Sequence, residues 1–297
     1  MMKKIIQNKS SAIQKKQAWK GILFVLPFLT GFSVFYLIPF VWSVMYSFTD
    51  GIGGVRFVGL AHYLSLFQSE AFRIAAGNTL KFAVIGVPLA IVSGLGIAMV
   101  LYGEFYGKSF LRMAFLYPLT IPIAALTAVM RFAFGEDGVC NQILAMAGRQ
   151  SKDWLNCGTA FWILILIFIW KNCGYQMLLF LVGLYGIPRE IIQSAQMEGA
   201  SWRQVFWYIR LPLLKPTFFF AGVVAMMNSF KIFREAYLIG GESPDQSIYL
   251  LLHFMNNNFR NLNYQRLSAA AFLVFLLICL AVRVLLYWKN RGGDVEF

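Results

Sequence analysis

Residues 21–48 have the sequence GILFVLPFLTGFSVFYLIPFVWSVMYSF, which contains no charged side chain. A helix rises about 1.5 Å per residue, so this run can cross the ~30 Å hydrocarbon core of a bilayer with some tilt. A cleaved signal peptide would have an apolar region of only about 7–15 residues, followed by a cleavage site of small residues. Tyr46, Ser47 and Phe48 do not form such a site, and we therefore predict an uncleaved first transmembrane helix.

The composition extends this interpretation to the whole chain. Of its 297 residues, 59% are hydrophobic and 13% are charged, whereas soluble domains have about 45–50% and about 25%. The net charge of +13 raises the question of nucleic-acid binding, but six lysines lie among the first twenty residues, directly before the first apolar run. That pattern is typical of a cytoplasmic flank beside anionic lipid. The composition excludes a soluble protein, and no nucleic-acid partner is expected.

Charge-poor runs recur along the rest of the chain. They predict an all-α integral membrane protein with six transmembrane helices, over about residues 21–48, 82–102, 110–132, 160–185, 216–236 and 267–288. The six spans form one transmembrane domain, 21–288, between basic tails at 1–20 and 289–297. Because an even number of spans places both ends on one side, and both tails carry Lys or Arg, both termini are predicted to be cytoplasmic.

The loop of residues 187–216, here called the elbow, carries signals for two helices. Pro188 suits a first helical turn and Gly199 suits a left-handed residue after a helix end, which predicts a helix over 188–198. Ser201 and Gln204 have the spacing of a capping box, which predicts a second helix to about Arg210. We expect Pro212 and Pro216 to stop that helix. Apolar residues at helical spacing are expected to offer a face to a partner, namely Ile191, Ile192, Ala195, Val205, Phe206 and Ile209.

At these residues the chain resembles the inner-membrane permeases of binding-protein-dependent ABC importers. Their cytoplasmic loop carries an E-A-A-x-x-x-G-A pattern that ends in F-x-x-I-x-L-P. The matching residues are Glu198, Gly199, Ala200, Phe206, Ile209, Leu211, Pro212 and Pro216, whereas the leading Glu-Ala-Ala is replaced by Gln193-Ser194-Ala195. Residues 57–60 with Tyr63, Asn78-Thr79, Trp170-Lys171 and residues 184–188 are similar to the carbohydrate-uptake branch, of the maltose and glycerol-3-phosphate permease type.

The resemblance implies a permease of the type I importer fold in the bacterial inner membrane. Its implied partners are a second permease subunit in a heterodimer, a cytoplasmic ATPase dimer and an extracellular solute-binding protein. The residues implied in coupling to the ATPase are Gln193, Ala195, Glu198, Gly199, Ala200, Phe206, Ile209 and Pro212. Gln193 removes one ion pair that the family's Glu could make with the ATPase. Because the chain lacks a P-loop pattern, ATP hydrolysis is expected in the separate ATPase, with no catalytic residue, cofactor or metal in this chain.

Lys171 lies about ten residues into the predicted fourth span, where an unpaired charge costs several kcal/mol. A role in the substrate pathway is one interpretation, and a structural post that binds a helix carbonyl is the other. Asn172, Asn228 and Lys231 could join Lys171 in the pathway, although asparagines also link membrane helices. No acid falls in the apolar runs themselves, of which the fifth covers 217–230, so we expect every Asp and Glu in a loop or tail, and no carboxylate partner for Lys171 within the membrane.

The function predicted from these observations is the translocation pathway of an ATP-driven importer for a sugar or oligosaccharide. One alternative is an importer of a non-sugar solute such as glycerol phosphate, and another is a secondary transporter. An ion-coupled carrier usually places acids at the midplane, which the charge-poor runs lack. Cys140 and Cys157 lie in one predicted external loop, where a disulfide and a free pair both remain open.

Overall fold

The computed structural model describes residues 21–51 and 56–290, of which Asn290 is described by its backbone alone. The predicted tail at 1–20 lies outside these residues, as do residues 291–297 of the predicted tail 289–297. In chain order the described helices are α1 (Gly21–Ser47), α2 (Ala61–Gln68), α3 (Glu70–Tyr102), α4 (Lys108–Leu116), α5 (Ile123–Phe134), α6 (Val139–Met146), α7 (Thr159–Tyr185), α8 (Arg189–Met197), α9 (residues 202–213), α10 (Lys215–Lys231), α11 (Phe233–Gly240), α12 (Leu251–Arg260) and α13 (Tyr264–Asn290).

Five helical segments of the described chain are long and apolar enough to cross a membrane: α1, α3, α7, the segment Lys215–Gly240 and α13. A sixth crossing is present if the bent pair Lys108–Thr120 and Ile123–Met146 counts as one span. The helical membrane architecture predicted from the charge-poor runs is therefore confirmed, with five or six candidate spans.

The chain divides into two compact units, of which the first contains the described residues 21–51, 56–65 and 263–273. Strands β1 (Thr49–Asp50) and β2 (Arg56–Phe57) form an antiparallel pair after α1. The hydroxyl of Tyr63 donates a 2.7 Å hydrogen bond to the buried Ser47 Oγ at the end of α1. This bond fixes α2 against the end of the first membrane helix.

The second unit contains the described residues 66–262 and 274–290, and its centre is the packing of α3 against α7. Small residues allow the two backbones to approach closely, because a Cβ at Gly94 would overlap Gln176 of α7. Large side chains then fill the space above and below this contact: Phe82 and Phe168 in one cluster, and Phe180 in another. Helix α10 packs on both of these helices, and α12 packs on α3.

Helix α3 begins at Glu70, twelve residues before the predicted start of the second span at 82. The additional turns pack on helix α12, where the rings of Phe72 and Phe254 lie 5.4 Å apart and both residues are buried. The helix therefore extends beyond the predicted span, because packing outside the apolar run stabilises its first turns.

The third predicted span, over 110–132, is not continuous. Helix α4 passes into a 3-10 turn, Tyr117–Thr120, and the chain bends by 98° before α5 begins. Pro122 has no backbone N–H and disfavours a helical conformation of Ile121, which is extended with ψ 124°. The two prolines of this segment, Pro118 and Pro122, therefore break the span.

The elbow forms the predicted helix–turn–helix, but its second helix does not stop at the prolines. Residues Val205–Arg210 form a π-helical segment, and helical geometry continues through Leu214 into α10. Pro212 is the second residue of the α-helical turn Leu211–Leu213, and Pro216 is the second residue of α10. A residue in the first turn of an α-helix has no N–H partner within that helix, so the missing N–H of proline costs no hydrogen bond there. The predicted termination was wrong because the π-helical turn and these positions accommodate both prolines.

Candidate functional site

A cavity of about 200 Å³ lies within the second unit, near the middle of α7. Helices α7, α10 and α11 contribute all its charged and amide side chains, and the bent α4–α5 segment contributes Leu119 and Ile123. The polar side chains in its wall are Lys171, Asn172, Asn228, Lys231, Arg234 and Glu235. The structure thus places all four predicted pathway residues around one cavity.

Lys171 is paired with an acid, contrary to the sequence prediction. Its Nζ lies 2.5 Å from Glu235 Oε1, and the two side chains are 19% and 6% exposed. Glu235 is in the first turn of α11, where the positive end of the helix dipole favours a carboxylate. The expectation that every acid lies in a loop or tail was therefore wrong, because the helix that began as the fifth charge-poor run continues to Gly240.

Glu235 and Arg234 were missed by the sequence analysis, although one signal pointed to Glu235. It follows Lys231 by four residues, which places both on one helical face, and Lys231 had already been singled out. The contact with Lys171 itself joins residues 64 positions apart in the chain. No local pattern specifies such a contact.

The two predicted asparagines form a chain of hydrogen bonds that joins α10 to α7. Asn228 Nδ2 donates to Asn172 Oδ1 at 2.8 Å, and Asn172 Nδ2 donates to the Phe168 carbonyl at 2.8 Å. Asn172 is buried, whereas Asn228 is half-buried. Asn172 therefore links two helices as well as lining the cavity, and Asn228 is the more accessible amide.

The coupling residues predicted in the elbow occupy two different environments. Gln193, Glu198, Gly199 and Pro212 are exposed, whereas Ala195, Ala200, Phe206 and Ile209 are half-buried. Ile192 and Val205 belong to a core cluster of this chain, against which Ala195, Ala200 and Ile209 also pack. Most of the apolar face predicted for a partner therefore packs against the chain's own core.

The turn between the two elbow helices has the predicted geometry. Gly199 has φ +84°, a left-handed conformation that a residue with a side chain adopts only at a cost. The Ser201 N–H donates to Gln204 Oε1 at 2.7 Å, and the Gln204 N–H donates to Ser201 Oγ at 3.4 Å. The capping box fixes the direction in which the second helix leaves the turn.

Large side chains on the outer surface of the elbow replace the predicted apolar face. Met197, Trp202, Trp207 and Tyr208 are 90%, 69%, 61% and 79% exposed. None of these four residues belongs to the apolar face that the helical spacing predicts. An exposed apolar patch of this kind marks an interaction surface.

The segment that leads into α12 is held against α3 by Asn78 and Thr79, the two residues noted in the family resemblance. Asn78 Nδ2 donates to the Tyr249 carbonyl at 3.0 Å, and Thr79 Oγ1 accepts from the Leu251 N–H at 2.8 Å. Beyond this contact His253 is fully buried, and burial lowers its pKa to about 4. Asn78 and Thr79 therefore act as anchors for the segment that leads into α12.

Cys140 and Cys157 are both free and half-buried in the structure. Cys157 Sγ lies 2.7 Å from the Asp153 carbonyl and 2.9 Å from Thr159 Oγ1. Among residues 21–51 and 56–290, no three His, Cys, Asp or Glu side chains are grouped so as to hold a metal ion. The chemistry available at the cavity is hydrogen bonding and charge pairing by the chain's own side chains.

The chain combines a polar cavity among helices that are long and apolar enough to cross a membrane with a capped helix–turn–helix between two of them. Residues 86–292 match the family of binding-protein-dependent transport system inner membrane components, and the chain belongs to that family. It is 31% identical to the probable ABC transporter permease protein YesP of Bacillus subtilis, over 97% of each chain. It is also 31% identical to the trehalose/maltose transport system permease protein MalF of Thermococcus litoralis, over 91% of this chain and 94% of that one.

Other relatives and solved structures agree with this assignment. The arabinooligosaccharides transport system permease protein AraP of Bacillus subtilis is 30% identical over 91% of each chain. A bacterial alginate ABC transporter, crystallised with its pentasaccharide-bound periplasmic protein, superposes with a TM-score of 0.82 over 95% of this chain and 98% of that chain, at 20% identity. At that identity the likeness shows the fold, which is that of an ABC transporter permease.

Proposed function

We propose that this protein is a membrane subunit of an ATP-driven importer that moves a sugar or oligosaccharide through the cavity beside α7. The observation that carries the proposal is the convergence of Lys171, Asn172, Asn228 and Lys231 on that one cavity. A saccharide needs hydrogen-bond donors and acceptors along its route, and charged side chains at membrane depth face the interior of the bundle or a water-filled space. The names of the trehalose/maltose and arabinooligosaccharide relatives support a saccharide over the alternative, a non-sugar solute such as glycerol phosphate.

The elbow is proposed as the contact with a separate cytoplasmic ATPase. Gly199 and the Ser201–Gln204 capping box give the turn a fixed shape, and the exposed Met197, Trp202, Trp207 and Tyr208 supply apolar area for docking. Glu198 is exposed beside the turn and can pair with a cation of the ATPase, whereas Gln193 can only hydrogen-bond. Movement of the elbow with nucleotide state would then shift the spans between inward and outward opening.

The remaining partners follow from the same proposal. A second permease subunit completes the pathway as a heterodimer, two ATPases supply the energy, and an extracellular binding protein delivers the saccharide. Both termini lie in the cytoplasm of a bacterial cell, and the elbow lies on the same side. The external segment held by Asn78 and Thr79 faces the binding protein.

The proposal is tested by ATP-dependent uptake in proteoliposomes that contain the complete importer with its binding protein. Uptake of a neutral or acidic oligosaccharide that requires ATP and the binding protein is the expected result. Uptake driven by an ion gradient without ATP would instead identify a secondary transporter. Uptake of glycerol phosphate without any saccharide would identify the non-sugar alternative.

Coupling through the elbow is tested by Gly199→Pro. Proline fixes φ near −65°, which is incompatible with the observed +84°, and it removes the Gly199 N–H that donates to the Gln196 carbonyl at 3.0 Å. We expect assembled permease with ATP-driven uptake reduced about tenfold or more, since the turn is lost. Gly103→Ala is the control, because Gly103 has φ −63° and an added Cβ meets nothing closer than 3.5 Å. Normal uptake and ATPase association in Gly199→Pro would contradict the proposed coupling role.

A further inference from the structure

The charges that line the cavity do not balance. Three cations, Lys171, Lys231 and Arg234, face a single carboxylate, Glu235. Glu235 is already paired with Lys171 at 2.5 Å. Within residues 21–51 and 56–290, Lys231 and Arg234 form neither an ion pair nor a side-chain hydrogen bond, and both side chains are exposed. Two positive charges are therefore available to a ligand.

The depth of these two charges requires an explanation. Lys231 and Arg234 lie in the segment Lys215–Gly240, which is long and apolar enough to cross a membrane. Lys231 precedes Glu235 by about one helical turn, and Arg234 is the residue directly before Glu235. Glu235 contacts Lys171 near the middle of α7. A cation at the centre of a bilayer costs about 2.5–3.5 kcal/mol or more when it faces lipid. Lys231 and Arg234 therefore face water and whatever solute passes through the cavity.

We infer that the saccharide moved through this cavity is acidic, and that Lys231 and Arg234 bind its carboxylate. A guanidinium binds a carboxylate with two parallel hydrogen bonds, and an ammonium adds a third charge-assisted contact. Asn228, the more accessible amide of the wall, meets a neighbouring hydroxyl. This inference rests on the proposed function and names its substrate class.

The Lys171–Glu235 ion pair keeps the carboxylate of Glu235 from repelling an acidic saccharide. An unpaired carboxylate in the wall would repel an acidic ligand, since like charges a few ångströms apart are strongly unfavourable. Lys171 neutralises Glu235 and holds it by a 2.5 Å hydrogen bond. The cavity thus keeps the net positive charge of Lys231 and Arg234 without a competing anion. A neutral saccharide would leave both cations without a counter-charge from the ligand.

The test compares acidic and neutral trisaccharides in proteoliposomes that contain the complete importer, its binding protein and ATP. Galacturonate and mannuronate trisaccharides are the acidic probes, and maltotriose and galactotriose are the neutral ones. We expect initial uptake of at least one acidic trisaccharide to exceed that of both neutral ones by about tenfold, the discrimination expected of one charge-assisted contact. Raising the ionic strength should reduce this preference, because salt screens the attraction.

Substitutions in the cavity then locate the selectivity. Lys231→Gln combined with Arg234→Gln should lower kcat/KM for the preferred acidic trisaccharide about tenfold or more. Lys231→Arg keeps the charge and should retain uptake, which separates loss of charge from a folding defect. Arg283→Gln removes an exposed cation from α13 outside the cavity and is the matched control, with uptake unchanged.

Three other outcomes would contradict the inference or the proposed function. Preferential uptake of maltotriose or galactotriose would overturn it while leaving the permease function intact. Preferential uptake of an acidic trisaccharide that does not change in Lys231→Gln/Arg234→Gln would also overturn it, because the selectivity would then reside outside the cavity. Import of neither class, with the binding protein and ATP present, would remove the proposed function itself.

Discussion

The most informative residue is Lys171, because its partner determines what its substitution does. Lys171→Met leaves the carboxylate of Glu235, a residue only 5% exposed, without its cation. Breaking a buried ion pair from one side costs about 3–5 kcal/mol, whereas replacing both partners by apolar residues of similar size is often close to neutral. We expect Lys171→Met and Glu235→Met each to lower the melting temperature of the detergent-solubilised importer, and the double variant to recover most of the loss.

A double-mutant cycle on the melting free energies measures this coupling. Additive effects of the two substitutions would show that the contact contributes no stability. Uptake assayed on the same samples separates the two roles considered from the sequence. A double variant that is stable but inactive would mark Lys171 as part of the pathway, whereas a stable and active one would mark it as a structural post.

His253 gives a prediction about pH at the same scale. Its pKa is lowered to about 4 from an ordinary value of 6.5, because the imidazole is buried among Phe233, Tyr237 and Tyr249. Above pH 6.5 the ring is neutral in the folded and the unfolded state. As the pH falls from 6.5 to 4 only the unfolded state takes up the proton, so the free energy of unfolding falls by up to about 3 kcal/mol.

The measurement is the melting temperature of the importer between pH 7 and pH 4. His253→Gln should flatten the decline, because glutamine does not titrate. His62→Gln is the control, since His62 is the other histidine of the chain and its ring is not fully buried. A pH profile that is identical in the native protein and in His253→Gln would show that burial does not hold the imidazole neutral.

At the scale of elements, the contact between α3 and α7 depends on Gly94 but not on Gly96. A Cβ at Gly94 would overlap the side chain of Gln176, whereas a Cβ at Gly96 meets nothing within 4 Å. Forcing a methyl group into a packed contact costs about 1–3 kcal/mol. We expect Gly94→Ala to lower the melting temperature, and Gly96→Ala, two residues along the same helix, to leave it unchanged or slightly raised.

The paired substitutions separate packing from helix propensity. Both replace glycine by alanine within a membrane helix, so any change in helix propensity is shared. A lower melting temperature for Gly94→Ala alone would assign the difference to the contact with α7. Equal melting temperatures for the two variants would show that α3 and α7 separate enough to accept the methyl group.

The elements that the sequence predicted well are those with short-range signals. The apolar runs indicated the membrane helices, and Gly199 with the Ser201–Gln204 spacing indicated the turn of the elbow. Each of these signals acts over a few residues, through backbone conformation or a capping hydrogen bond. Local patterns of this kind can be recognised without knowing the tertiary structure.

The features that the sequence did not predict depend on distant contacts. The Lys171–Glu235 pair joins two helices, and the early start of α3 depends on the contact of Phe72 with Phe254. The continuation of the helix past Pro212 depends on a π-helical segment whose formation no residue spacing signalled. The sequence indicated four polar residues of the cavity but not the cavity itself, because only the packing of the helices brings these residues together.

At the scale of the whole molecule, the orientation in the membrane is the remaining prediction. The six lysines before α1, with Lys289 and Arg291 near the other end of the chain, favour cytoplasmic termini. The elbow and the segment after α11 would then lie on opposite sides of the membrane. Ser201 and Ser243 represent these two surfaces, and both are exposed.

Labelling with a membrane-impermeant maleimide distinguishes the two orientations. In a variant whose four native cysteines are replaced, Ser243→Cys should react in intact cells, whereas Ser201→Cys should react only after the membrane is opened. The native Cys140 and Cys157 must be removed first, because both are free thiols in a predicted external loop and would be labelled themselves. The reverse pattern, with Ser201→Cys labelled in intact cells, would place the elbow outside, where it could not meet a cytoplasmic ATPase.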